Sequence, residues 1–383
     1  MTSKKKFIIF GKTKITKKEE EEVVKTLRSG WIGTGPKVKE FEEIFKRYKK
    51  SNYVQALSSC TAALFLSLKS LNLKKNDEVI VPAMTFISTV STIIQNGAKP
   101  ILVDIDKKTM NIDENKIEDK ITKNTKAIVI VHFAGYPLNM KSIIKISKKY
   151  KLKIIEDCAH AIETTIQGKH VGNFGDFGCF SFYPNKNITT GEGGMLISKK
   201  LKSLNIIRPM VLHGFTKDAW KRFGANKYSD YDVVNLGYKN NMTDIQASIG
   251  VEQFKRIDLM HKKRKKIWKY YSKELKNLPV FLPKDCDPKS KHAYHLYPLV
   301  LNKKETRISR NKVIDLLYQS GIGVGIHYKA IPDYTYFKKN LKIDINNYKN
   351  AKIVSRNTFS IPLYPHLQSY EIDKIISNLK KIF

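Results

Sequence analysis

The sequence predicts an α/β protein in which a large unit with a mostly parallel sheet is followed by a smaller C-terminal α+β unit. Three observations carry this. Short apolar runs alternate with helical stretches as far as Asp157, the pattern of a parallel sheet covered by helices on both faces. A long helical pattern starting at Thr243 then separates these runs from a second set of strands and helices. Finally, 383 residues are more than one ordinary core supports.

Residues 15–50 read as helix, turn and helix, with Gly30, Gly33 and Pro36 breaking the pattern. Val38, Phe41, Ile44 and Phe45 share one face of the second helix. A helix over Thr61–Leu71 precedes a strand at Glu78–Val81, a helix at 86–97 and a strand at Lys99–Val103. Next come a strand at Lys126–Val131, a helix at 140–150 and a strand at Lys153–Asp157, then β-type runs at Gly178–Phe182 and Met195–Ile197. Thr243–Leu275 reads as one long helix, strongly basic through His261–Lys269. Beyond it lie a β-type run at Tyr294–Leu301, a helix at 310–319 and the glycine-spaced Gly321–Tyr328. A closing helix carries Ile372, Ile375, Ile376, Leu379 and Ile382 at helical spacing. The expected division is 1–245 and 246–383.

Composition narrows the class. Apolar residues make up 42% and aromatics 10%, which excludes disordered, collagenous and disulfide-rich chains. Cys60, Cys158, Cys179 and Cys286 form no C-x-x-C pair and no ligand spacing with histidine, so neither a metal site nor a disulfide framework is expected. No apolar run is long enough for a signal peptide or a membrane span, and a cytoplasmic protein is expected. Against this stands the charge: 70 Lys and Arg face 35 Asp and Glu, a formal +35, which raises polyanionic partners.

The chemistry concentrates between Gly175 and Met195, GDFGCFSFYPNKNITTGEGGM. Lys186 follows a β-type run in a polar, turn-rich stretch; alone it would read as a solvated lysine. Asp157 closes the preceding strand in IIEDCAHA, at the kind of strand end where open α/β sheets place ligands. Ser58-Ser59-Cys60-Thr61 leads into a helix whose N-terminus offers unpaired amides to an anion. GEGG at Gly191–Gly194 lacks the Walker spacing and the following Lys-Ser/Thr, and reads as a turn.

Together these segments resemble the DegT/DnrJ/EryC1/StrS sugar aminotransferases, pyridoxal-phosphate enzymes of aspartate-aminotransferase-like fold type I. Seven blocks carry the resemblance in register: Gly30–Glu42, Ser58–Leu64, Asp77–Thr89, Ile154–Ala161, the lysine segment, Gly237–Gly250 and Gly325–Pro332. The GYK and HY forms are most similar to members acting on C4 ketones of nucleotide-linked sugars.

The resemblance implies roles for individual residues. Lys186 is the amine that holds pyridoxal phosphate and later shuttles a proton, and Asp157 is the partner of the ring nitrogen. Cys60, Thr61 and Ser181 are the phosphate contacts, although Cys60 stands where many members carry Gly or Ala. Phe86 packs on the ring and His160 lies beside its phenolic oxygen. Lys239 and Asn241, which depart from the family's GYNYR form, are the candidates to reach the partner subunit's phosphate, implying a homodimer with shared active sites. Trp31, His327 and Tyr328 line the substrate cavity.

The implied activity moves an amino group from an amino acid, glutamate, through the pyridoxamine form, to a nucleoside-diphosphate keto sugar, for amino-sugar and surface-glycan assembly. 2-Oxoglutarate is the implied by-product. Rival readings are a related sugar dehydratase, which carries histidine where Lys186 stands, and a pyridoxal-phosphate-binding regulator without turnover. A nucleic-acid partner rests on charge alone, without an aromatic-interleaved basic motif, and is not expected. The lysines are spread over most helices, as at Lys141, Lys145, Lys148, Lys149 and Lys151. Such a field serves encounter with small anions rather than a groove for nucleic acid.

Overall fold

A computed structural model of the chain describes residues 7–216 and 232–383. Two amphipathic helices come first, α1 (Lys17–Arg28) and α2 (Pro36–Lys49). α2 opens on Pro36, whose fixed φ suits a first turn, but has no side-chain cap of its own. Asp244, distant in sequence, takes that place: its carboxylate accepts from the amides of Gly35 at 2.8 Å, Lys37 at 3.0 Å and Val38 at 3.0 Å. The face anticipated from Val38, Phe41 and Phe45 is buried, with Phe41 edge-on to Phe182 and Phe45 edge-on to Phe180.

The chain then lays down β1 (Tyr53–Leu57), α3 (Cys60–Lys69), β2 (Glu78–Pro82), α4 (Ile87–Gln95), β3 (Lys99–Val103) and β4 (Thr125–Val131). α5 (Met140–Tyr150), β5 (Lys153–Asp157), a small hairpin of β6 (Thr165–Ile166) and β7 (Lys169–His170), β8 (Phe177–Ser181), β9 (Gly194–Ser198) and α6 (Leu201–Val211) follow. Seven of these strands form one sheet in the order β1-β9-β8-β5-β4-β2-β3. β3, β2, β4, β5 and β8 run parallel, while β9 is antiparallel to both β8 and β1. Every residue of β2 is buried, as expected of a strand covered on both faces. The mostly parallel sheet is therefore present, with an antiparallel edge.

The C-terminal part comprises α7 (Asp244–Phe254), α8 (Ile257–Glu274), β10 (Val280–Phe281), β11 (Tyr297–Leu301), α9 (Arg310–Gln319), α10 (Thr335–Leu341), α11 (Lys349–Asn357), β12 (Thr358–Ile361) and α12 (Ser369–Ile382). Its three strands form an antiparallel sheet, β10-β11-β12, over a separate apolar cluster that includes Tyr271, Tyr297, Leu317 and Ile375.

Two expectations need correction. The helix expected over Thr243–Leu275 is two helices, broken at Arg256, whose φ of −120° and ψ of 12° leave the helical region. There the Arg256 guanidinium turns away to Glu19 and to the Lys14 carbonyl, a tertiary contact that the periodicity does not encode. The run Tyr294–Leu301 is strand only from Tyr297, because Tyr294 has a left-handed φ of 50°. Among the described residues no helix is long and apolar enough to cross a membrane.

Candidate active site

A cavity of about 310 Å³ opens at the carboxyl ends of β4, β5 and β8, the edge at which open α/β sheets bind ligands. Of the residues expected at a site, Cys60, Thr61, Phe86, Asp157, His160, Ser181, Lys186, His327 and Tyr328 all line it. Trp31, Lys239 and Asn241 do not line it. The Trp31 indole N–H donates to the Thr34 carbonyl and the Asn241 amide to the Thr34 hydroxyl, so these two gather around Thr34. Lys239 bridges backbone to backbone with Leu212.

One wall is the start of α3. Ser59 caps the helix by accepting from the Ala62 amide at 3.1 Å, so the preceding amides, Cys60 and Thr61, keep no intrahelical acceptor. The Ser58 amide is tied to the Asn240 carbonyl at 2.7 Å, anchoring this turn to the 237–241 segment. Gly194 lets β9 pass directly beneath: a Cβ there would run into the backbone of Ser59 and lie 2.6 Å from the Cys60 nitrogen. Unpaired amides at a helix start, with the Thr61 and Ser181 hydroxyls on the same cavity, suit a phosphate group.

Asp157 forms the floor. It is buried, and burial pushes its pKa up against the opposing pull of the Ala159 amide, Thr89, Lys186 and His132. Oδ1 accepts from the Ala159 amide at 3.1 Å and Oδ2 from the Thr89 hydroxyl at 2.9 Å. A buried carboxylate facing a cavity suits a cationic ring nitrogen. Lys186, part-buried, follows a turn closed by its amide on the Tyr183 carbonyl at 2.9 Å. Desolvation lowers its amine to about 8, opposed by Cys60 and Asp157. Such an amine is partly neutral near physiological pH and available as a nucleophile and base.

His160 is read by its partners. Its Nδ1 accepts from the Ala134 amide at 3.2 Å, so Nε2 carries the proton and donates to the Tyr328 hydroxyl at 3.0 Å. Burial, then Lys186 and His327, hold His160 well below the usual histidine range, so it stays neutral. Behind it lies His295, 4.4 Å away ring to ring. The His295 Nδ1–H donates to the Asn187 carbonyl oxygen at 2.9 Å, because the Asn187 amide nitrogen is committed to Glu163 and to the Ala293 carbonyl. Asn187, next to Lys186 in the chain, thereby locks the lysine turn to the residues behind His160.

The sequence reading missed several lining residues, among them Thr85, Ser88, Tyr183, Asn185 and Glu192. Tyr183 and Asn185 flank Lys186 within a segment already singled out; a turn that presents the lysine also presents its neighbours. Thr85 and Thr89 sit four apart, a helical spacing that was legible without its target. His132, Glu156 and Cys158 place three donor atoms within 4.8 Å of one another among the described residues. Two of the three are already engaged: His132 Nδ1 accepts from the Leu138 amide, leaving Nε2–H for Glu156, which also accepts from the amides of Gly172, Phe174 and Gly175. That cluster is a strut beneath Asp157.

Comparison with known proteins decides among chemistries that such a cavity could host. The DegT/DnrJ/EryC1/StrS aminotransferase family model matches residues 13–380. This chain belongs to that family. It is an aminotransferase, and the family match spans both the cavity and the C-terminal part that supplies His327 and Tyr328. Among its relatives, the uncharacterized protein MJ1066 of Methanocaldococcus jannaschii is 42% identical over 368 residues, covering 96% of this chain and 95% of that one. The spore coat polysaccharide biosynthesis protein SpsC of Bacillus subtilis is 38% identical over 377 residues, covering 98% and 97%. Spr1654 of Streptococcus pneumoniae, described as a sugar aminotransferase and solved in its PMP form, superimposes with a TM-score of 0.91 at 35% identity, covering 98% of each chain. The aminotransferase fold of this family is thus the fold of this chain.

Proposed function

We propose that this aminotransferase uses pyridoxal 5'-phosphate to move an amino group from glutamate to the C4 keto group of a nucleoside-diphosphate keto-deoxy sugar, feeding surface-glycan assembly. Supporting the cofactor, Spr1654 is solved in PLP and PMP forms, and the cavity offers the three features the cofactor needs: an amine, a buried carboxylate and a helix start. Supporting a sugar substrate are the description of Spr1654, the polysaccharide pathway of SpsC and PseC of Helicobacter pylori, an aminotransferase involved in the biosynthesis of pseudoaminic acid. The carrying observation is Lys186, with its lowered pKa, on the same cavity as the buried Asp157.

Bound there, pyridoxal phosphate supplies the electron sink for losing a proton from an amino acid's α-carbon. The chain's own groups do the rest. Lys186 Nζ, neutral in a sizeable fraction of molecules, would take the proton from the α-carbon and return it two atoms further on, across the nitrogen being transferred. Asp157 holds a positive charge at the ring nitrogen. Thr61, Ser181 and the first amides of α3 would bind phosphate, while the Tyr328 hydroxyl, which accepts from the neutral His160, keeps its own proton to donate to an oxygen atom. Phe86 lies 5.9 Å from the Tyr328 ring, and the two rings shape an apolar slot. Trp31, Lys239 and Asn241, away from the cavity of their own chain, are assigned to the cavity of a second copy in a homodimer. The division into 1–245 and 246–383 belongs to the same reading.

The test is a single-turnover assay with purified protein, glutamate and a panel of UDP- and dTDP-linked 4-keto and 3-keto sugars. Formation of 2-oxoglutarate followed by a 4-amino sugar nucleotide supports the proposal. Amination of 3-keto sugars alone would reassign the carbon; no 2-oxoglutarate from glutamate would reassign the donor. Wild-type protein that loses a sugar hydroxyl without gaining nitrogen would favour the dehydratase reading.

A further inference from the structure

We infer that Thr85 and Thr89 form a directed pair of hydroxyls that keeps Asp157 ionised and aimed into the cavity, making them positioning residues for the cofactor's ring nitrogen. The inference rests on the proposed use of pyridoxal phosphate and adds a control on its electronics.

Thr89 lies in the first turn of α4 and is fully buried. A threonine in a helix ordinarily returns its hydroxyl to the carbonyl four residues back, and Thr92, one turn later, does this with Ser88 at 2.8 Å. Thr89 instead donates across to Asp157 Oδ2 at 2.9 Å. An ionised carboxylate only accepts, so the single Thr89 proton is committed. The Thr85 hydroxyl, 3.0 Å from that of Thr89 and also buried, must therefore be the donor of their shared bond. The sequence of donation is Thr85 to Thr89 to Asp157, with both O–H dipoles pointing their positive ends at the carboxylate.

This arrangement answers a need that burial creates. Asp157 sits at the end of β5 with the Ala159 amide as its other close donor, and the Cys60 thiol donates to Oδ1 at a long 4.0 Å. Lys186 and His132 are the cationic influences on it, and the titratable Cys60, Cys158, Cys179 and Tyr328 also lie within electrostatic reach. Lys186 and His132 both favour its charge, but His132 donates to Glu156 and the Lys186 amine would be taken up by the cofactor, so neither holds the carboxylate's charge and its rotation together. Two β-branched side chains with restricted χ1 do both. α4 begins immediately after Thr85 and Phe86, so the same turn that lays Phe86 on the cavity sets the pair.

The experiment uses the holoenzyme and four variants: Thr89→Val, Thr89→Ser, Thr85→Val and the double Thr85→Val/Thr89→Val. Three readouts are taken: kcat, KM for the amino donor, and the absorption spectrum of bound cofactor as a function of pH. Loss of one hydrogen bond to a charged group predicts a fall in kcat of about ten- to a hundredfold for Thr89→Val. KM should stay within a few-fold, and the spectral titration should move toward the unprotonated ring. Thr89→Ser, which keeps the hydroxyl, should recover most of kcat and the native spectrum. Thr85→Val should cost a few-fold alone and nothing further in the Thr89→Val background, because it acts only through Thr89.

A Thr89→Val enzyme with native kcat and spectrum overturns the inference, as does a Thr85→Val effect of equal size in both backgrounds. If Thr89→Val does not fold, Thr85→Val and Thr89→Ser still decide: an unchanged spectral titration in Thr85→Val overturns the pair. Failure of wild-type protein to bind pyridoxal phosphate would instead remove the proposed function, a result visible before any variant is made.

Discussion

Replacing Lys186 by Met in the cofactor-free protein removes a charge that the fold holds at a desolvated place. Burial brings the amine from an ordinary 10.5 to about 8, with Cys60 and Asp157 pulling the other way. At about 1.4 kcal/mol per pH step between those values, keeping Lys186 protonated costs the folded apoprotein about 3 kcal/mol at neutral pH. The sign follows from counting protons. Below pH 8 the folded and unfolded chains both carry the proton, and the whole cost is present. Between 8 and 10.5 the folded chain has released it while the unfolded chain has not, so wild-type stability rises with pH. Above 10.5 both are neutral and the cost has gone. Met has a similar length and no charge, so Lys186→Met should be more stable than wild type by about 2–3 kcal/mol at neutral pH. The gap should close as the pH approaches 10.5. Urea unfolding of the two apoproteins across this range, followed by circular dichroism, measures it. Equal stabilities at neutral pH, or a gap that persists unchanged beyond pH 10.5, would refute the desolvated amine and with it the argument that Lys186 is poised as a nucleophile.

Three other outcomes are expected. Gly194→Ala should push β9 against the Ser59–Cys60 backbone and weaken cofactor binding at least about tenfold by disturbing the start of α3, measured by fluorescence titration with pyridoxal phosphate. Tyr328→Phe removes the acceptor of the His160 Nε2–H and should lower kcat/KM by roughly two- to tenfold in the transamination assay, the worth of one neutral hydrogen bond. The excess of 35 positive charges should make the association rate of pyridoxal phosphate fall steeply as salt is raised in stopped-flow measurements; a flat salt profile would deny any steering role to the charge.

The fold class was legible because the strands around β2, β4 and β5 are short unbroken apolar runs, and the helices between them carry their own periodicity. Less legible were β1 and β12, which are held by partners remote in sequence: β1 pairs with β9, and β12 with β11. α6, α10 and α11 were likewise absent from the reading, and α6 carries Pro209 within it, a residue that local propensity counts against a helix. The break at Arg256 depends on Glu19 and Lys14 and has no local signal at all. At the site, Lys186, Asp157, Thr61, Ser181 and His160 stood out through motifs, and the structure gathers them on one cavity. Thr85, Thr89, Asn187 and His295 did not, because each works by pointing at another side chain, and direction is not written in spacing.

The division between the two levels has a physical basis. Residue types and local order, an amine after a strand, a carboxylate at a strand end and hydroxyls before a helix, specify which chemistry the chain can host, and they are properties of contiguous segments. Protonation states and hydrogen-bond directions are not. The lowered amine of Lys186 and the neutral His160 with its proton on Nε2 arise from burial, and the donors that oppose burial's upward push on the Asp157 pKa are contributed by separate strands and helices. The chain encodes the participants locally; only packing removes water from them and settles which atom holds each proton.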